Sequence, residues 1–264
     1  MPVVGATVSL FDENGNLVEK ALTDNQGKYL FKNLPEDFKG YVNIETNPGS
    51  SEGLAGASTL ISVDGLTKVE VPPLQKSILA GQASSAQSGV IVKFATEDGK
   101  VFYTTTDSQG KYKLPVSANT KGNLSFDAGD DSITNNYNNI TTPEPGSTSE
   151  YDIYITPASE TSKITGAILP RVSGNTVQFI DSKGLVYTAI TEDNGRYDLI
   201  VPANEKGTFY VLANKNTSTY LYMEDMLSPD AGKSTAATRD ASVSKVVRVN
   251  LDPQTTVGGY MPEG

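Results

Sequence analysis

Apolar and polar residues alternate in short runs along most of the chain. Val8 and Leu10 flank Ser9, Val177 and Phe179 flank Gln178, and Val90, Val92 and Phe94 alternate with Ile91 and Lys93. A period of two buries one face of an extended strand. Such strands run into Asx-Gly or Lys-Gly turns and then into β-branched and aromatic runs, VFYTTT at 101–106 and LVYTAIT at 185–191. Long helical periodicity is absent, so the pattern predicts an all-β chain.

The strands belong to a repeat. TDNQGKY (23–29), TDSQGKY (106–112) and TEDNGRY (191–197) place Gly27, Gly110 and Gly195 at intervals of 83 and 85 residues. The flanks repeat too: VSLFDENG, VKFATEDG and VQFIDSKG lie upstream, and LPEDFKG, VSANTKG and VPANEKG downstream. In each D-x-x-G string, Asp24, Asp107 or Asp193 is expected to accept local N–H bonds while the glycine supplies a positive φ. Tyr29 with Phe31, Tyr112 with Leu114, and Tyr197 with Leu199 then point to one side. Val42/Ile44, Leu124/Phe126 and Phe209/Val211 follow, and Val69/Val71, Tyr151/Ile153/Ile155 or Val247/Val249/Leu251 close each copy. About seven short strands per copy make a small β-sandwich. The expected organisation is repeat 1 at 1–74, repeat 2 at 75–157, repeat 3 at 158–253 and a tail at 254–264. Short Pro-containing linkers, PPLQKS (72–77) and TPASETS (156–162), suggest three tandem domains in an extended rod.

GATVSLFDENG (5–15) followed by TDNQGKYLF (23–31) resembles the collagen-adhesin B-type and carboxypeptidase regulatory-like β-sandwiches, whose topology is Ig-like or transthyretin-like (prealbumin-like). The resemblance covers essentially the whole chain and implies a surface-exposed or secreted multidomain protein. It also implies a Lys–Asn or Lys–Asp isopeptide bond assisted by a buried acid. Glu45 and Asp127 stand near the acid's place, Lys76 and Lys163 are the first-strand lysines, and Asp152 and Asn250 are further candidates. With Leu79 and Ile164 facing in, alternation puts both lysines outside. Repeat 1 lacks the first strand and a closing Asn, and Leu212 replaces the acid in repeat 3, so no isopeptide is expected.

The ends carry a separate signal. LAG (79–81) and ITG (164–166) each precede the motif strand by 11 residues, whereas repeat 1 has no comparable first strand before Val8. VGG (257–259) matches LAG and ITG, and joining Gly264 to Pro2 would place Gly259 12 residues before Val8. Two explanations stand. The chain is three periods cut from a longer array, with loose ends. Alternatively, Val257, Gly258, Gly259 and Tyr260 of one molecule enter repeat 1 of the next at Val4, Ala6, Val8 and Leu10. Such strand donation is heterologous and grows filaments.

Composition narrows the chemistry. The chain has no Cys, His or Trp, which removes disulfides, thiolate and imidazole chemistry and the usual zinc ligands together. A net charge of −10 argues against nucleic acid and anionic lipid as partners. No apolar run suits a membrane span, and MPVVGATV does not read as a secretory leader, so the chain reads as cytosolic or as a mature piece of something longer. The resemblance favours the extracellular or cell-surface setting.

DENGN (12–16), DAGDD (127–131) and EDNG (192–195) are acid-rich, with Asp127, Asp130 and Asp131 the calcium candidates. None has full EF-hand spacing, and hairpin turns are the plainer reading. No cofactor is expected. Tyr137, Tyr220 and Tyr222 could serve a carbohydrate platform, and the segments 47–59, 130–149 and 214–240 differ most between copies. Nothing places paired carboxylates across a cleft or a base beside a nucleophile, so no enzyme is expected. The expected role is a structural stalk, filament or adhesin segment whose partner is itself, with a carbohydrate- or protein-binding module as the alternative.

Overall fold

The computed structural model describes residues 2–63, 69–129, 132–168, 173–213, 219–236 and 247–248. Its described residues are β-structure and turns, with one 3-10 turn at Ala158–Glu160. The chain divides into two compact units, residues 1–156 and 157–264.

The first unit begins with β1 (Thr7–Asp12), β2 (Leu17–Leu22), β3 (Lys39–Glu45), β4 (Leu54–Ala57) and β5 (Ile61–Ser62). It continues through β6 (Leu74–Gln82), β7 (Ile91–Thr96), β8 (Val101–Thr105), β9 (Lys111–Ser117) and β10 (Lys121–Asp127). β11 (Ile133–Thr134), β12 (Tyr137–Thr141), β13 (Thr148–Glu150) and β14 (Ile155–Thr156) complete it. The second unit holds β15 (Thr161–Ala167), β16 (Thr176–Asp181), β17 (Val186–Ile190), β18 (Arg196–Pro202) and β19 (Lys206–Ala213), then β20 (Thr219–Leu227), β21 (Ser234–Ala236) and β22 (Val247–Arg248).

One sheet pattern recurs three times. The orders β4-β3-β1-β2, β12-β10-β7-β8 and β20-β19-β16-β17 are equivalent, each built on the antiparallel pairing of the two alternating motif strands. Against the second and third of these lies another layer, β9-β6-β13 and β18-β15-β21, in which the first strand pairs antiparallel on one side and parallel on the other. The apolar half of each alternation fills the space between the layers. In repeat 2 this core holds Leu79, Val92, Phe94, Leu114, Leu124 and Ile153. In repeat 1 it holds Ala6, Val8, Leu10, Val42 and Ile44. In the second unit Ile164, Val177, Phe179, Leu199 and Val211 are equally buried.

The expected linker at 72–77 is not a free tether. Leu74 and Gln75 already belong to β6 and pair with Ala55 and Leu54 of β4. β4 therefore belongs to the sheet of repeat 1, while its Ala55 and Ala57 join the core of repeat 2. TYLYMEDML is a strand, and β20 pairs with β19 as β12 pairs with β10.

Candidate functional site

The repeated TD string does two jobs. Its threonine is buried and ties the loop before the motif strand. Thr23 Oγ1 accepts Ala6 N–H at 2.9 Å and donates to Val3 O at 2.7 Å. Thr106 does the same with Val90 N–H at 3.0 Å and Gln87 O at 2.7 Å, and Thr191 accepts Asn175 N–H at 3.0 Å. These clamps were not anticipated from the sequence, although three aligned threonines preceding the turn were their signal. The aspartate caps the turn: Asp24 Oδ1 takes the Gln26 and Lys28 N–H groups, and Asp107 Oδ1 those of Gln109 and Lys111. Repeat 3 departs from the expectation for Asp193. The position aligned with Asp24 is Glu192, and Asn194 Oδ1 accepts Arg196 N–H at 2.7 Å.

The N–H bonds from Lys28 and then Gln26 hold the Asp24 carboxyl below its ordinary 3.8, and those from Lys111 and Gln109 do so for Asp107. A depressed folded value stabilises the fold above the unfolded pKa of about 4, and the gain is lost as pH falls through the folded value. NMR carboxyl titrations should give midpoints under 3.8 for both residues. Asp24→Asn with Asp107→Asn should flatten the loss of stability below about pH 4. Midpoints at or above the reference would remove the caps from the account.

The first strand has a defined seat. In repeat 2, β6 is inserted between β9 and β13, with Gly81 opposite Tyr112 and Leu79 opposite Leu114. In repeat 3, β15 lies between β18 and β21, with Gly166 opposite Tyr197 and Ile164 opposite Leu199. Leu79 and Ile164 are fully buried, each contributing about 2–3 kcal/mol. Over Gly81, the Tyr112 hydroxyl donates to Tyr151 O at 2.7 Å. A Cβ on Gly81 would lie 2.0 Å from that carbonyl oxygen and 2.9 Å from Tyr112 Cε1, so only glycine fits beneath the arch.

Repeat 1 has the arch. Tyr29 donates its hydroxyl to Val69 O at 2.9 Å, and burial pushes the Tyr29 pKa up to about 12, so it remains a donor at physiological pH. Yet among the described residues neither 28–34 nor 69–71 is a strand, and no strand is inserted between them. Tyr29 and Phe31 are only partly buried, whereas Tyr112, Leu114, Tyr197 and Leu199 are buried. Of the residues expected to receive a donated strand, Ala6, Val8 and Leu10 are core and Val4 is 59 % exposed. β1 already has β2 and β3 on its two edges, so the open ladder positions lie on 28–34. Ala6, Val8 and Leu10 face the seat from across the sandwich. Val257, Gly258, Gly259 and Tyr260 lie outside the described residues.

A second arrangement joins repeats 1 and 2. Lys76 was expected outside. Alternation does point it away from the repeat 2 core, but that face of β6 is covered by the turn after β3, leaving Lys76 1 % exposed. Its ammonium donates to Thr46 O at 2.7 Å and Asn47 O at 3.0 Å, with Glu45 Oε2 at 3.7 Å, an ion-pair distance without a hydrogen bond. Asn43 holds the free edge of β8, its amide donating to Val101 O at 2.7 Å and accepting Tyr103 N–H at 2.8 Å. Phe11, Tyr41 and Tyr103 pack beside it with centroids 5.5 and 5.6 Å apart. Beside this contact is a cleft of about 440 Å³, lined by Thr7, Ser9, Lys20, Glu45, Thr105 and Lys113 among others.

Of the isopeptide candidates, Lys76 comes within 3.7 Å of the Glu45 carboxylate, while Asp127, Asp152 and Lys163 have other partners. Lys76 bonds the main chain of repeat 1, while Asp152 Oδ1 accepts Gln82 N–H six residues further along β6, about 20 Å away. Asp127 Oδ1 accepts Gly129 N–H at 2.8 Å. Lys163 is half-buried and pairs with Asp198 at 3.0 Å. Asp130, Asp131 and Asn250 lie outside the described residues, and among those described no group of three or more acids is placed to hold a metal. Tyr137 is not a free platform. It packs on Tyr151 at 4.9 Å and donates its hydroxyl to Asp152 O. Tyr220 and Tyr222 lie on β20, opposite Leu212 and Tyr210.

No family model matches the chain. It is similar to the serine-aspartate repeat-containing protein D of Staphylococcus aureus strains Newman and MW2, 26 % identical over 263 residues. That alignment covers 83 % of this chain but only 20 % and 19 % of those relatives, so the chain spans about a fifth of their length. Among solved structures, the Bacillus anthracis TIE protein aligns over 90 % of this chain and 47 % of its own, at 14 % identity and a TM-score of 0.25. GBS52, the minor pilin of Streptococcus agalactiae, aligns over 69 % and 99 %, at 11 % identity and a TM-score of 0.23. At those scores neither likeness bears on function. No helix among the described residues is long and apolar enough to cross a membrane.

Proposed function

We propose that this chain is a structural segment of an extracellular or cell-surface stalk, filament or adhesin. It comprises three sandwich repeats, at 1–74, 75–157 and 158–253, and a strand-donating tail at 254–264. Copies join head to tail, the tail of one supplying the first strand of repeat 1 in the next. The observation that carries this reading is the sheet order that recurs three times along the chain, β4-β3-β1-β2, β12-β10-β7-β8 and β20-β19-β16-β17. Sequence similarity to a serine-aspartate repeat-containing protein over most of the chain supports the surface setting. The role is non-enzymatic, resting on length, stiffness and assembly, with self as the principal partner and neither nucleic acid nor membrane insertion involved.

Light scattering over a concentration series tests it, comparing the full chain with one ending at Gln254. Growing oligomers from the full chain alone are expected, because a non-closing heterologous contact has no preferred end point. Monomers from both would end the assembly reading. The alternative, a carbohydrate- or protein-binding module, draws on the cleft between repeats 1 and 2. Glycan or peptide binding abolished by Lys20→Ala with Lys113→Ala would favour it.

A further inference from the structure

We infer that the cleft between repeats 1 and 2 is a binding site for an acidic saccharide, a short run of sugar rings carrying carboxylates. This rests on the alternative reading above, a carbohydrate-binding module, and adds the chemistry of the ligand and the residues that read it.

The cleft holds about 440 Å³, within the ~300–1,000 Å³ usual for small-ligand sites. Its repeat 1 wall is the outer face of β1, β2 and β3. Ala6, Val8 and Leu10 are buried, so the period of two turns Thr7 and Ser9 outward. Strand pairing sets Lys20 beside Ser9 and Glu45 beside Thr7. The repeat 2 wall brings Thr105 from the end of β8 and Lys113 from β9. Lys113 stands between buried Tyr112 and Leu114 and so points away from that core. Among the described residues, the ammonium groups of Lys20 and Lys113 and the hydroxyls of Thr7, Ser9 and Thr105 have no hydrogen-bond or ion-pair partner. Glu45 differs, because Lys76 Nζ at 3.7 Å offsets its charge. The cleft is therefore a cationic place on a chain whose net charge is −10.

These groups choose between ligands. Two unpaired ammonium groups suit carboxylates. Hydroxyls that donate and accept, with a carboxylate that accepts, suit the hydroxyls of a sugar ring. An extended peptide would be read through its main chain, and the β8 edge at the cleft is already engaged. Ser58 O accepts Val101 N–H, and the Asn43 amide holds Val101 O and Tyr103 N–H.

The test titrates the full chain with trigalacturonate, maltotriose and a triglutamate peptide, by calorimetry and by amide chemical shifts. Trigalacturonate is expected to bind at least about tenfold more tightly than either of the others. It should shift the amides of Ser9, Lys20, Thr105 and Lys113. Lys20→Ala with Lys113→Ala should weaken it about tenfold. Lys39→Ala with Lys121→Ala removes the same charge outside the cleft and should leave binding unchanged. All four lysines are exposed, so the variants keep the fold. Equal binding of maltotriose would overturn the acidic specificity while leaving a carbohydrate module standing. Preference for triglutamate would overturn the saccharide in favour of an acidic peptide. Trigalacturonate binding untouched by the cleft pair would overturn the cleft as its site and leave the module reading intact. Binding by none of the three would overturn the site.

Discussion

Gly81→Val is expected to be among the most damaging single substitutions in the 1–156 unit. The new side chain begins with a Cβ 2.0 Å from Tyr151 O, a main-chain atom that cannot rotate away. Tyr151 follows directly on β13, which pairs with β6 through Thr148–Glu150, so relief requires β13 and the residues after it to move away from β6. That movement breaks the Tyr151 N–H bond to Ala80 O and the Tyr112 bond to Tyr151 O, and opens the core at Ile153. Strain of this kind with lost hydrogen bonds costs about 3 kcal/mol or more. For a unit of this size the melting temperature should fall by about 6–12 °C. The 157–264 unit shares no part of this arch, so its transition in calorimetry should hold its position. A Gly81→Val chain that melts with the wild type would show that the main chain closes over a side chain here.

Lys76→Ala is expected to loosen repeat 1 from repeat 2 without disturbing either core. The ammonium is the donor that satisfies Thr46 O and Asn47 O and stands 3.7 Å from the Glu45 carboxylate. Removing it strands two carbonyls, leaves the carboxylate without its cation and empties the volume of a long buried stem. One-sided removal of a buried charge costs about 3 kcal/mol, because the groups left behind keep their desolvation penalty. Lys76→Met keeps the stem and loses the hydrogen bonds, so its loss should fall between those of alanine and wild type. Urea midpoints for the first unit measure both, and amide exchange at Leu54 and Ala55, where β4 meets β6, should rise in step. A shift under about 0.5 kcal/mol for the alanine variant would mean that water replaces the lysine at no cost.

Local chemistry explains what could be read in advance. Period-two patterns placed Val8, Leu10, Phe94, Phe179 and Val211 in cores because each strand has one wet and one dry face. The D-x-x-G turns were legible because an Asx side chain and a glycine at positive φ act within five residues: Gly27, Gly110 and Gly195 have φ of 72°, 74° and 72°. The same rule misassigned Asp193, since TEDNG puts Glu192 at the place of Asp24 and the side chain that accepts a turn N–H is that of Asn194.

Lys76 shows where such reading stops. Alternation gave its direction correctly and its environment wrongly, because the face away from one core is exposed only if no other part of the chain covers it. The cover comes from Thr46 and Asn47, about thirty residues away in the preceding repeat. Asn43 is similar. Its outward place on β3 followed from Val42 and Ile44, but its grip on the β8 edge depends on a partner 58 and 60 residues distant.

The all-β class, the threefold repeat, its turns and the inward faces of its strands are legible in the residues alone, because they follow from neighbours along the chain and a two-residue period. Three features emerge only once the chain is folded: β4 serves two repeats, Lys76 is buried, and the first-strand Gly81 lies under a tyrosine–carbonyl arch. Each of these depends on groups brought together from distant positions by strand pairing, where the room left for a single Cβ atom decides which residue can stand.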